Sequence, residues 1–454
     1  MQNTVLTLLE NRDFKSIRDS FTQMNEIDIA ELFQGLFDEE MLERDKFIRL
    51  FRLLPKDAAA DVFSYMDSDM QMLLVSSFTD KELQSVINDL YIDDTVDIIE
   101  DMPANLVARI IKSADADTRK QINEILRYPK DSAGSLMNTE YITLRSNYTV
   151  SKSFELIRKL GVNRETVYTL YVTDNRKLIG VLSLLELLTA DDDALIEDIM
   201  DTNVISVNTH DDREYVADTL SKYDFAALPV VDGDNRMVGI VTFDDAMDVI
   251  EQEATEDFEK MAAVAPSDES YFKTSVFKHA KNRILWLLIL MLSATLTGVV
   301  ISSYDAAFAA VPLLVSFIPM ITGTGGNCGS QTSTMIIRGM SLGEIRLKDF
   351  FKVIIKEFGI AVLCGAVLAV VNGIRIFIMY NSDPSVDALL LSLTVSLAII
   401  ATVIMSKCIA CVLPMLAKKA KLDPAIMAAP VITTIVDTCS TILFFSLATK
   451  IFKI

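Results

Sequence analysis

The spacing of apolar residues predicts a chain that begins with short helices. Apolar side chains recur at helical spacing in segments such as KDAAADVFSYM, DTVDIIEDM and ANLVARIIKS, and acidic turns separate these segments. Pro55 and Pro103 stand where two of the helices are expected to start. Residues 1–128 are therefore predicted to form an acidic, all-α superhelical amino-terminal domain. Two packings fit the pattern: a small α-solenoid, in which each helix covers its neighbour, or a compact bundle.

Between residues 129 and 252 the pattern changes to alternating strand and helix, and the sequence repeats itself. The stretch YVTDNRKLIGVLSLLELL matches the later stretch VVDGDNRMVGIVTFDDAMDVI, with Gly180 aligned to Gly239. Each copy is typical of a strand, a turn, a second strand and a helix. We therefore predict two α/β modules, at about 129–192 and 193–252.

This repeat resembles a tandem pair of CBS domains, regulatory modules that often bind adenine nucleotides. Thr242 and Asp245 match the Thr/Ser-x-x-Asp element with which that family holds a ribose, whereas the first copy has Ser183 and Glu186 there. The resemblance implies ATP, or a related nucleotide, at the second copy. A purely structural role stays open, because Thr242 and Asp245 would equally well cap the helix that follows them.

An amphipathic segment leads from the repeat to the rest of the chain. In AMDVIEQEATEDFEKMAAVA, the residues Ile250, Ala254, Phe258 and Met261 recur at helical spacing, and acidic residues surround the opposite face. We predict an amphipathic connecting helix region at 253–275, through which a displacement of the preceding domains would reach the first apolar span. The alternative is a solvated, charged linker.

From about residue 276 onward, apolar windows long enough to cross about 30 Å of hydrocarbon follow one another. The pattern predicts a five-helix α transmembrane domain at 276–454, and hence a multi-domain membrane protein. The five spans are predicted at 284–303, 309–337, 353–379, 388–416 and 425–449.

Basic residues are distributed unevenly around these spans. The segment KHAKNR precedes the first span, and the connections after the second and fourth spans contain Arg338, Arg346, Lys348, Lys352, Lys418, Lys419 and Lys421. The other two connections, SSYDAAFA and YNSDPSVD, contain no Lys or Arg. Under the positive-inside rule, the amino terminus is then cytoplasmic and the carboxyl terminus lies outside the cell's inner, cytoplasmic membrane.

Charge divides the chain at the same point. Residues 271–454 contain 16 Lys and Arg and 8 Asp and Glu, which leaves 26 basic and 55 acidic residues, a net charge of −29, in residues 1–270. Nucleic acid is therefore not an expected partner, because its phosphates need clustered Lys and Arg. The two histidines, His210 and His279, lie far apart and away from any cysteine, which argues against a zinc site and a Ser/His/Asp hydrolase. No enzyme activity is predicted.

The predicted spans contain two polar features. Asp437 lies inside the fifth span, where an ionised group is costly unless it faces a cavity or a partner. In the second span, ITGTGGNCGSQ combines four glycines with Asn327 and Gln331, which share one helix face because they are four residues apart. Such glycines permit either close helix packing or an unwound backbone that lines water. The residues predicted to line an ion path are Gly323, Gly326, Gly329, Gln331, Ala429, Thr433 and Thr434, with Asp437 and Asn327 as its metal ligands. The alternative for Asp437 is a protonated carboxyl group that hydrogen-bonds between helices.

The donor atoms along this path indicate which ion it carries. Hard oxygen ligands without imidazole or thiolate favour Mg²⁺ or Ca²⁺ over Zn²⁺ or Cu²⁺. A single carboxylate among neutral oxygens suits an ion that keeps most of its water, and Mg²⁺ dehydrates reluctantly. We therefore predict passive Mg²⁺ uptake.

Four motifs, DSAGSLM, GIVTFDDAMDVIEQEATED, PMITGTGGNCGSQ and LDPAIMAAPVITTIVD, together with the domain order, resemble the MgtE magnesium transporter family. The resemblance covers nearly the whole chain. It implies a homodimer with a pore between the subunits, with Asp437 as the central ion-binding residue and Asn327 lining the pore.

The acidic charge of the first 270 residues suggests how the pore is controlled. Bare acidic faces repel one another, whereas bound Mg²⁺ would draw them together and hold the pore closed. Candidate regulatory ligands are Asp93, Asp94, Asp97, Asp212, Glu214, Asp224, Asp245, Asp248, Glu256, Asp257 and Asp423.

Two other classes of protein fit parts of the sequence. A nucleotide-sensing membrane protein without transport activity would explain the CBS-like repeat, yet it leaves Asp437 and the glycine-rich stretch without a role. An intramembrane aspartyl protease would need a second aspartate within the spans, and the predicted spans contain none. Magnesium transport accounts for more of the sequence than either alternative does.

Overall fold

The structure is a computed structural model that describes residues 2–453, apart from 39–41, 57, 162–163, 268–270, 273, 383–386 and 428. The side chains of residues 306–308 and 429 also lie outside the described part. The chain divides into two compact units, Met1–Glu251 and Gln252–Ile454. The finer domain limits given above remain predictions.

The first unit begins with short helices that pack as a superhelix. They are α1 (Gln2–Glu10), α2 (Phe14–Phe21), α3 (Glu26–Asp38), α4 (Arg44–Phe51), α5 (Ala59–Ser64), α6 (Ser68–Ser77), α7 (Asp80–Asp89), α8 (Ile92–Glu100), α9 (Ala104–Ser113) and α10 (Ala116–Ile125). Alternate helices contact each other, α3 with α5, α5 with α7 and α7 with α9. This arrangement is the solenoid among the two predicted packings.

Aromatic side chains and helix caps hold these short helices in place. The rings of Phe33 and Phe47 lie 5.3 Å apart, centroid to centroid, in an edge-to-face arrangement. At the start of α7, Thr79 and Glu82 form a capping box, in which each side chain accepts a hydrogen bond from the other residue's backbone amide. Such caps matter here because helices of about ten residues are marginal on their own.

The predicted repeat is present as two sheets of the same topology. The first contains β1 (Thr143–Leu144), β2 (Thr169–Asp174) and β3 (Lys177–Ser183), and the second contains β4 (Val207–Asn208), β5 (Ala227–Val231) and β6 (Met237–Thr242). In each sheet the first two strands pair in parallel and the last two pair antiparallel. The helices of this region are α11 (Ala133–Leu136), α12 (Val150–Leu160), α13 (Leu184–Thr189), α14 (Ile196–Ile199), α15 (Arg213–Tyr223) and α16 (Phe243–Met261).

The aligned glycines of the repeat occupy equivalent positions in the two sheets. Gly180 pairs with Val172, and Gly239 pairs with Val230. A Cβ atom on Gly180 would lie 2.5 Å from the sulfur of Met200, and one on Gly239 would lie 2.6 Å from the sulfur of Met137. The glycines therefore leave room for a methionine that packs against each sheet.

The second unit consists of long helices. After the end of α16 come α17 (Val276–Ser302), α18 (Asp305–Ala310), α19 (Ile318–Ser341), α20 (Phe350–Tyr380), α21 (Ala388–Lys419) and α22 (Ala429–Phe452). Short 3₁₀ segments at Pro312–Phe317, Leu347–Asp349 and Pro424–Met427 precede α19, α20 and α22. Helix α21 packs on α20, α19 and α22, and α17 packs on α22.

Within the described residues, four helices are long and apolar enough to cross a membrane. They are Val276–Ser302, Leu347–Tyr380, Ala388–Lys419 and Pro424–Phe452. The predicted second span corresponds to α19, whose 24 residues would extend about 36 Å, but its glycines, amides and hydroxyl groups make it less apolar than the others. Five crossings therefore remain a prediction.

Candidate functional site

Helix α19 presents one polar face outward from the second unit. Gly323, Asn327 and Gln331 are all exposed in the single chain, and their spacing of four residues places them on one side of the helix. The opposite side, which includes Gly325 and Gly329, is buried. The sequence prediction of a shared face for the two amides is therefore consistent with the structure.

Gly325 and Gly329 of α19 serve close packing, and the helix is not unwound there. A Cβ atom on Gly325 would lie 2.8 Å from side-chain carbons of Thr402 and Val436, and one on Gly329 would lie 2.7 Å from the hydroxyl oxygen of Ser406. The hydroxyl of Ser406 donates a 2.5 Å hydrogen bond to the backbone carbonyl of Gly325. Of the two predicted uses of the glycines, close approach is the correct one, because α19 is helical throughout this stretch.

Asp437 lies beside the glycine-rich stretch. It is half-buried on α22, and a Cβ atom on Gly326 would lie 3.9 Å from its carboxylate oxygen Oδ1 and 3.2 Å from the methyl carbon of Thr433. The structure thus brings together Asp437, Thr433 and the α19 residue that precedes Asn327. Because Gly326 has no side chain, the carboxylate remains close to the α19 backbone.

Two predicted lining residues bond to the first turn of α22. Pro430 lies in that turn, and its carbonyl accepts hydrogen bonds of 3.0 Å and 2.9 Å from the hydroxyls of Thr433 and Thr434. The side chain of Ala429, also predicted to line the path, lies outside the described residues.

A buried ion pair that sequence reasoning missed joins α19, α20 and α21. The ammonium group of Lys407 lies 3.5 Å from the carboxylate of Glu357 and donates a 2.8 Å hydrogen bond to the hydroxyl of Thr332. That hydroxyl donates in turn to Glu357, at 3.1 Å. The side chains of Lys407 and Glu357 are 7% and 12% exposed. Both residues fall inside predicted spans, so the rule that singled out Asp437 would have found them.

The acidic cluster of the first unit lies between α8 and α16. We use this name for Asp93, Asp94 and Asp97 of α8 with Asp245 and Asp248 of α16. All five are among the predicted regulatory ligands, and the charge of Asp245 on α16 repels both Asp94 and Asp97 on α8. Asn138, which is fully buried, donates 3.0 Å hydrogen bonds to the carboxylates of Asp93 and Glu165. Glu165 therefore joins the cluster, although no pattern in the sequence singles it out.

Burial and mutual repulsion raise the pKa values across this cluster. Burial and then the Asp245 charge raise the pKa of Asp94 to about 7, and burial and then Asp93 raise the pKa of Glu165 to about 8. Burial and then the charge of Asp94 raise the pKa of Asp93, and burial and then the charge of Asp93 raise the pKa of Asp245. The pKa of Asp97 is shifted in the same direction, but its side chain is exposed, so water screens part of the repulsion there.

Three other predicted regulatory residues lie at the ends of α15 instead. Asp212 caps the amino terminus of this helix by accepting a 2.9 Å hydrogen bond from the backbone amide of Glu214, and Asp224 ends the helix in a left-handed conformation. The structure therefore places Asp212 at the start and Asp224 at the end of this helix.

The remaining predicted ligands surround a lysine in the second unit. The ammonium group of Lys260 lies 2.6 Å from Glu256 and 2.7 Å from Asp423. Burial opposes the charge on Lys260, but the two carboxylates raise its pKa overall. Burial and then the charge of Asp423 raise the pKa of Asp257. A cation bound by Glu256 and Asp423 would therefore have to displace Lys260, a competitor that the acidic pattern of the sequence does not reveal.

Neither set of carboxylates forms a compact metal cage. In the part of the chain that the structure describes, no three side chains of His, Cys, Asp or Glu are close enough together to hold one ion directly. Mg²⁺ usually keeps several of its waters and uses only one or two carboxylates.

The candidate nucleotide residues are involved in local hydrogen bonds. The hydroxyl of Thr242 donates to the carboxylate of Asp245 at the start of α16. In the first copy, Ser183 and Glu186 form a complete capping box at the start of α13. Ser183 and Glu186 of the first copy thus cap the helix that follows them. In the second copy, Asp245 both accepts from Thr242 and belongs to the acidic cluster.

Sequence comparisons match four segments of the chain to known families. The family profile of the MgtE divalent cation transporter matches residues 318–447, that of the MgtE intracellular N domain matches residues 24–131, and that of the CBS domain matches residues 133–193 and 196–252.

Relatives of known function and solved structures agree with these matches. The chain is 31% identical to the magnesium transporter MgtE of Thermus thermophilus over 97% of this chain and 96% of the relative. It is also 31% identical to that of Bacillus subtilis, over 96% and 94%. A crystal structure of the cytosolic domain of the Mg²⁺ channel MgtE in complex with ATP is 33% identical, with a TM-score of 0.51, and covers 55% of this chain and 100% of that one.

A second structure, of the soluble part of a magnesium transporter, is 31% identical with a TM-score of 0.51 and covers 56% of this chain and 98% of that one. The helical domain, the paired repeat and the apolar helices thus match one family in the same order. The chain belongs to the MgtE family of magnesium transporters.

Proposed function

We propose that the chain conducts Mg²⁺ passively into the cell through a pore whose ion site includes Asp437 and Asn327. The observation that carries this proposal is the position of the Asp437 carboxylate, which lies against Gly326 beside the exposed polar face of α19. A carboxylate with neutral amide and hydroxyl oxygens is a typical site for a hard, hydrated dication. Gly323, Gln331 and Thr434 complete the proposed lining, whereas Gly329, also predicted to line the path, packs against Ser406 and Ile432 on the buried side of α19.

The membrane potential supplies the driving force. One elementary charge gains about 2.3 kcal/mol per 100 mV, so a dication gains about 4.6 kcal/mol for each 100 mV of inside-negative potential. Inward flow of Mg²⁺ then needs no coupled reaction. The amino terminus is proposed to be cytoplasmic and the carboxyl terminus external, in the inner membrane.

A homodimer would cover the polar face of α19. Asn327 and Gln331 are exposed in the single chain, and amide groups are not stable against lipid unless they are buried in protein or line water. A second copy placed against this face would enclose a hydrated path between the subunits. Apolar side chains exposed in the first unit, Leu185 and Leu188 of α13 and Met247 and Ile250 of α16, are consistent with pairing there as well.

Cytoplasmic Mg²⁺ is proposed to close the pore through the acidic cluster. The carboxylates of α8 and α16 repel each other when no cation is present, and a hydrated dication would stabilise them side by side. Connecting helix α16 continues from this cluster into the second unit, so it links the two. Glu256, Asp257 and Asp423 form a second candidate site, at which Mg²⁺ competes with Lys260.

ATP is proposed to bind at the second copy of the repeat. Thr242 and Asp245 lie at the end of β6 and the start of α16, the position at which the CBS family holds a ribose, and the cytosolic domain of a relative has been solved with ATP. Because Asp245 is shared with the acidic cluster, nucleotide and Mg²⁺ binding are expected to influence each other.

Flux through purified protein tests the proposed function. We expect the full chain, reconstituted in liposomes with an inside-negative potential, to admit Mg²⁺ as reported by an enclosed fluorescent indicator. Millimolar Mg²⁺ on the face that carries the first unit should suppress this influx. Flux no greater than that of protein-free liposomes, together with measurable ATP binding, would favour the alternative of a nucleotide sensor without transport.

The acidic cluster predicts an unusual pH dependence of stability. A group with a raised pKa binds more protons in the folded than in the unfolded state, so stability falls as pH rises between its ordinary pKa, about 4 for these groups, and its folded one. With the pKa of Asp94 shifted to about 7 and that of Glu165 to about 8, the first unit without Mg²⁺ should be more stable at pH 6 than at pH 8. Added Mg²⁺ should raise the melting temperature most at pH 8, where protons no longer compete.

Scanning calorimetry of the full chain at the two pH values, with Mg²⁺ or with chelator, checks this prediction. Asp94→Asn should reduce both the pH dependence and the Mg²⁺ effect. The control is Asp89→Asn, an exposed carboxylate at the end of α7, which should leave both nearly unchanged. Equal melting temperatures at pH 6 and pH 8 without Mg²⁺ would contradict the cluster's proposed role.

A further inference from the structure

A cavity with an unused hydrogen-bond donor lies between the helices of the second unit. It has a volume of about 230 Å³ and is bounded by Met320 and Thr324 of α19, Asn372 and Arg375 of α20, and Ile399 of α21. Both α19 and α20 pack on α21, which forms the floor between them. The cavity is separate from Asp437, which lies on α22, and from the ion pair of Lys407 and Glu357.

Asn372 gives this cavity an unpaired hydrogen-bond donor. Asn372 is only 8% exposed, and its amide nitrogen Nδ2 has no hydrogen-bond partner among the described residues. Its amide oxygen is already used, because it accepts hydrogen bonds of 3.2 Å and 2.8 Å from Nε and Nη2 of Arg375. Leaving a buried donor unpaired costs free energy. The cavity therefore suits a ligand that accepts hydrogen bonds at this nitrogen.

The positive charge of Arg375 favours an anionic ligand. Arg375 is exposed, and within the described ranges its guanidinium group donates to the amide oxygen of Asn372 and to the sulfur of Met320, at 3.0 Å, with no carboxylate among these partners. A guanidinium group without a carboxylate partner beside an unpaired amide donor is a typical arrangement for binding a phosphate group.

Depth in the membrane indicates where that phosphate comes from. Arg375 lies five residues before the end of α20 at Tyr380, or about 8 Å along the helix axis. In the proposed orientation this is the level of the outer headgroups. Val371, on the rim of the cavity, is 63% exposed and apolar, so it would contact an acyl chain. We propose that the cavity binds the phosphate group of an anionic glycerophospholipid of the outer leaflet.

An isosteric substitution tests whether the free donor of Asn372 recognises the phosphate. Asn372→Asp keeps the shape of the side chain and an oxygen for Arg375, but it replaces the free donor with a negatively charged acceptor that repels phosphate. The matched control is Asn381→Asp, which adds the same charge at an exposed position just beyond α20 without touching the cavity. Arg375→Met provides a second variant in case the first is not monodisperse.

The full chain is reconstituted in nanodiscs of equal parts phosphatidylglycerol and phosphatidylcholine, and lipids that stay bound after detergent extraction are counted by native mass spectrometry. We expect the wild type and N381D to retain phosphatidylglycerol over phosphatidylcholine by about fivefold, the factor expected for one basic group at an anionic headgroup. N372D and R375M should show no preference. Equal retention of the two lipids by the wild type, or an unchanged preference in both cavity variants, would overturn the proposal.

A third arm distinguishes lipid from free phosphate. Inorganic phosphate is supplied to phosphatidylcholine nanodiscs, and phosphatidylglycerol is then added. If phosphate abolishes the preferential retention of phosphatidylglycerol, the lipid assignment fails. If the preference is kept, the lipid assignment is supported. The readout requires no ion flux, so this proposal and the proposed Mg²⁺ conduction fail independently.

Discussion

Replacing Asp437 with asparagine should reduce Mg²⁺ influx by more than about 30-fold. The substitution keeps the size of the side chain beside Gly326 but removes its charge. At a separation of about 5 Å and an effective dielectric constant of about 20, a carboxylate attracts a dication by roughly 7 kcal/mol before dehydration is counted. If only a third of this attraction survives, its loss lowers the occupancy of the site by about 40-fold.

The measurement is Mg²⁺ influx into proteoliposomes, with equal amounts of monodisperse protein in each sample. The control is Asp305→Asn, which removes an exposed carboxylate at the start of α18 in the same unit and should conduct like the wild type. Alanine at position 437 should behave like asparagine, because charge rather than shape is at issue. If D437N conducts as well as the wild type, then Asp437 has a structural role and the proposed ion site is wrong.

Much of the fold follows from patterns within short stretches of sequence. Helical periodicity predicted the amino-terminal helices, and the aligned glycines at 180 and 239 predicted two sheets of identical topology. These features are local, because a helix face or a repeated strand pair is decided within about twenty residues. Short stretches of sequence did not distinguish a solenoid from a bundle, because the two differ in which helices contact each other.

The sequence predicted those parts of the candidate site in which a single residue or a fixed spacing is informative by itself. Asp437 stands out as an ionisable group in an apolar window, and the spacing of Asn327 and Gln331 fixes their common face. The acidic cluster was partly predictable, because charge identified Asp93, Asp94 and Asp245 as candidates. Its connection to Glu165 depends on Asn138, a buried residue whose two hydrogen bonds join distant parts of the chain.

For other predicted ligands, charge alone does not reveal a structural role or a partner. Asp212 and Asp224, predicted as Mg²⁺ ligands, lie at the start and the end of α15, where Asp212 caps the helix. Glu256 and Asp423 face Lys260, whose position became apparent only in three dimensions. An acidic count thus predicts that cations bind to a region without predicting which carboxylates are free to bind them.

The ion pair of Lys407 and Glu357 leads to the second large effect. Replacing Lys407 with methionine keeps the length of the side chain but leaves Glu357 almost buried, with only the hydroxyl of Thr332 as a partner among the described residues. Removing one member of a buried pair costs about 3–5 kcal/mol, because the other charge remains uncompensated. For a unit of about 200 residues, even the lower value corresponds to a fall of roughly 6 °C or more in melting temperature.

The double substitution Lys407→Met with Glu357→Gln should recover most of this loss. Glutamine can still accept the hydrogen bond from Thr332 but carries no charge, and replacing a whole buried pair with neutral residues is often nearly neutral for stability. The control is Lys356→Met, which removes an exposed lysine next to Glu357 and should change the melting temperature little. Thermal unfolding of the purified full chain in nanodiscs measures all four proteins.

The ion pair of Lys407 and Glu357 should also affect Mg²⁺ conduction, because it holds α19, the helix that presents the polar face. Ser406 and Lys407 of α21 contact α19 at Gly325 and Thr332, on either side of Asn327 and Gln331. Loss of the pair should let α19 rotate, so K407M should lose influx at temperatures where it is still folded, and the double variant should regain it. If K407M is as stable and as conductive as the control K356M, then Glu357 finds another partner and the ion pair does not hold α19 in place.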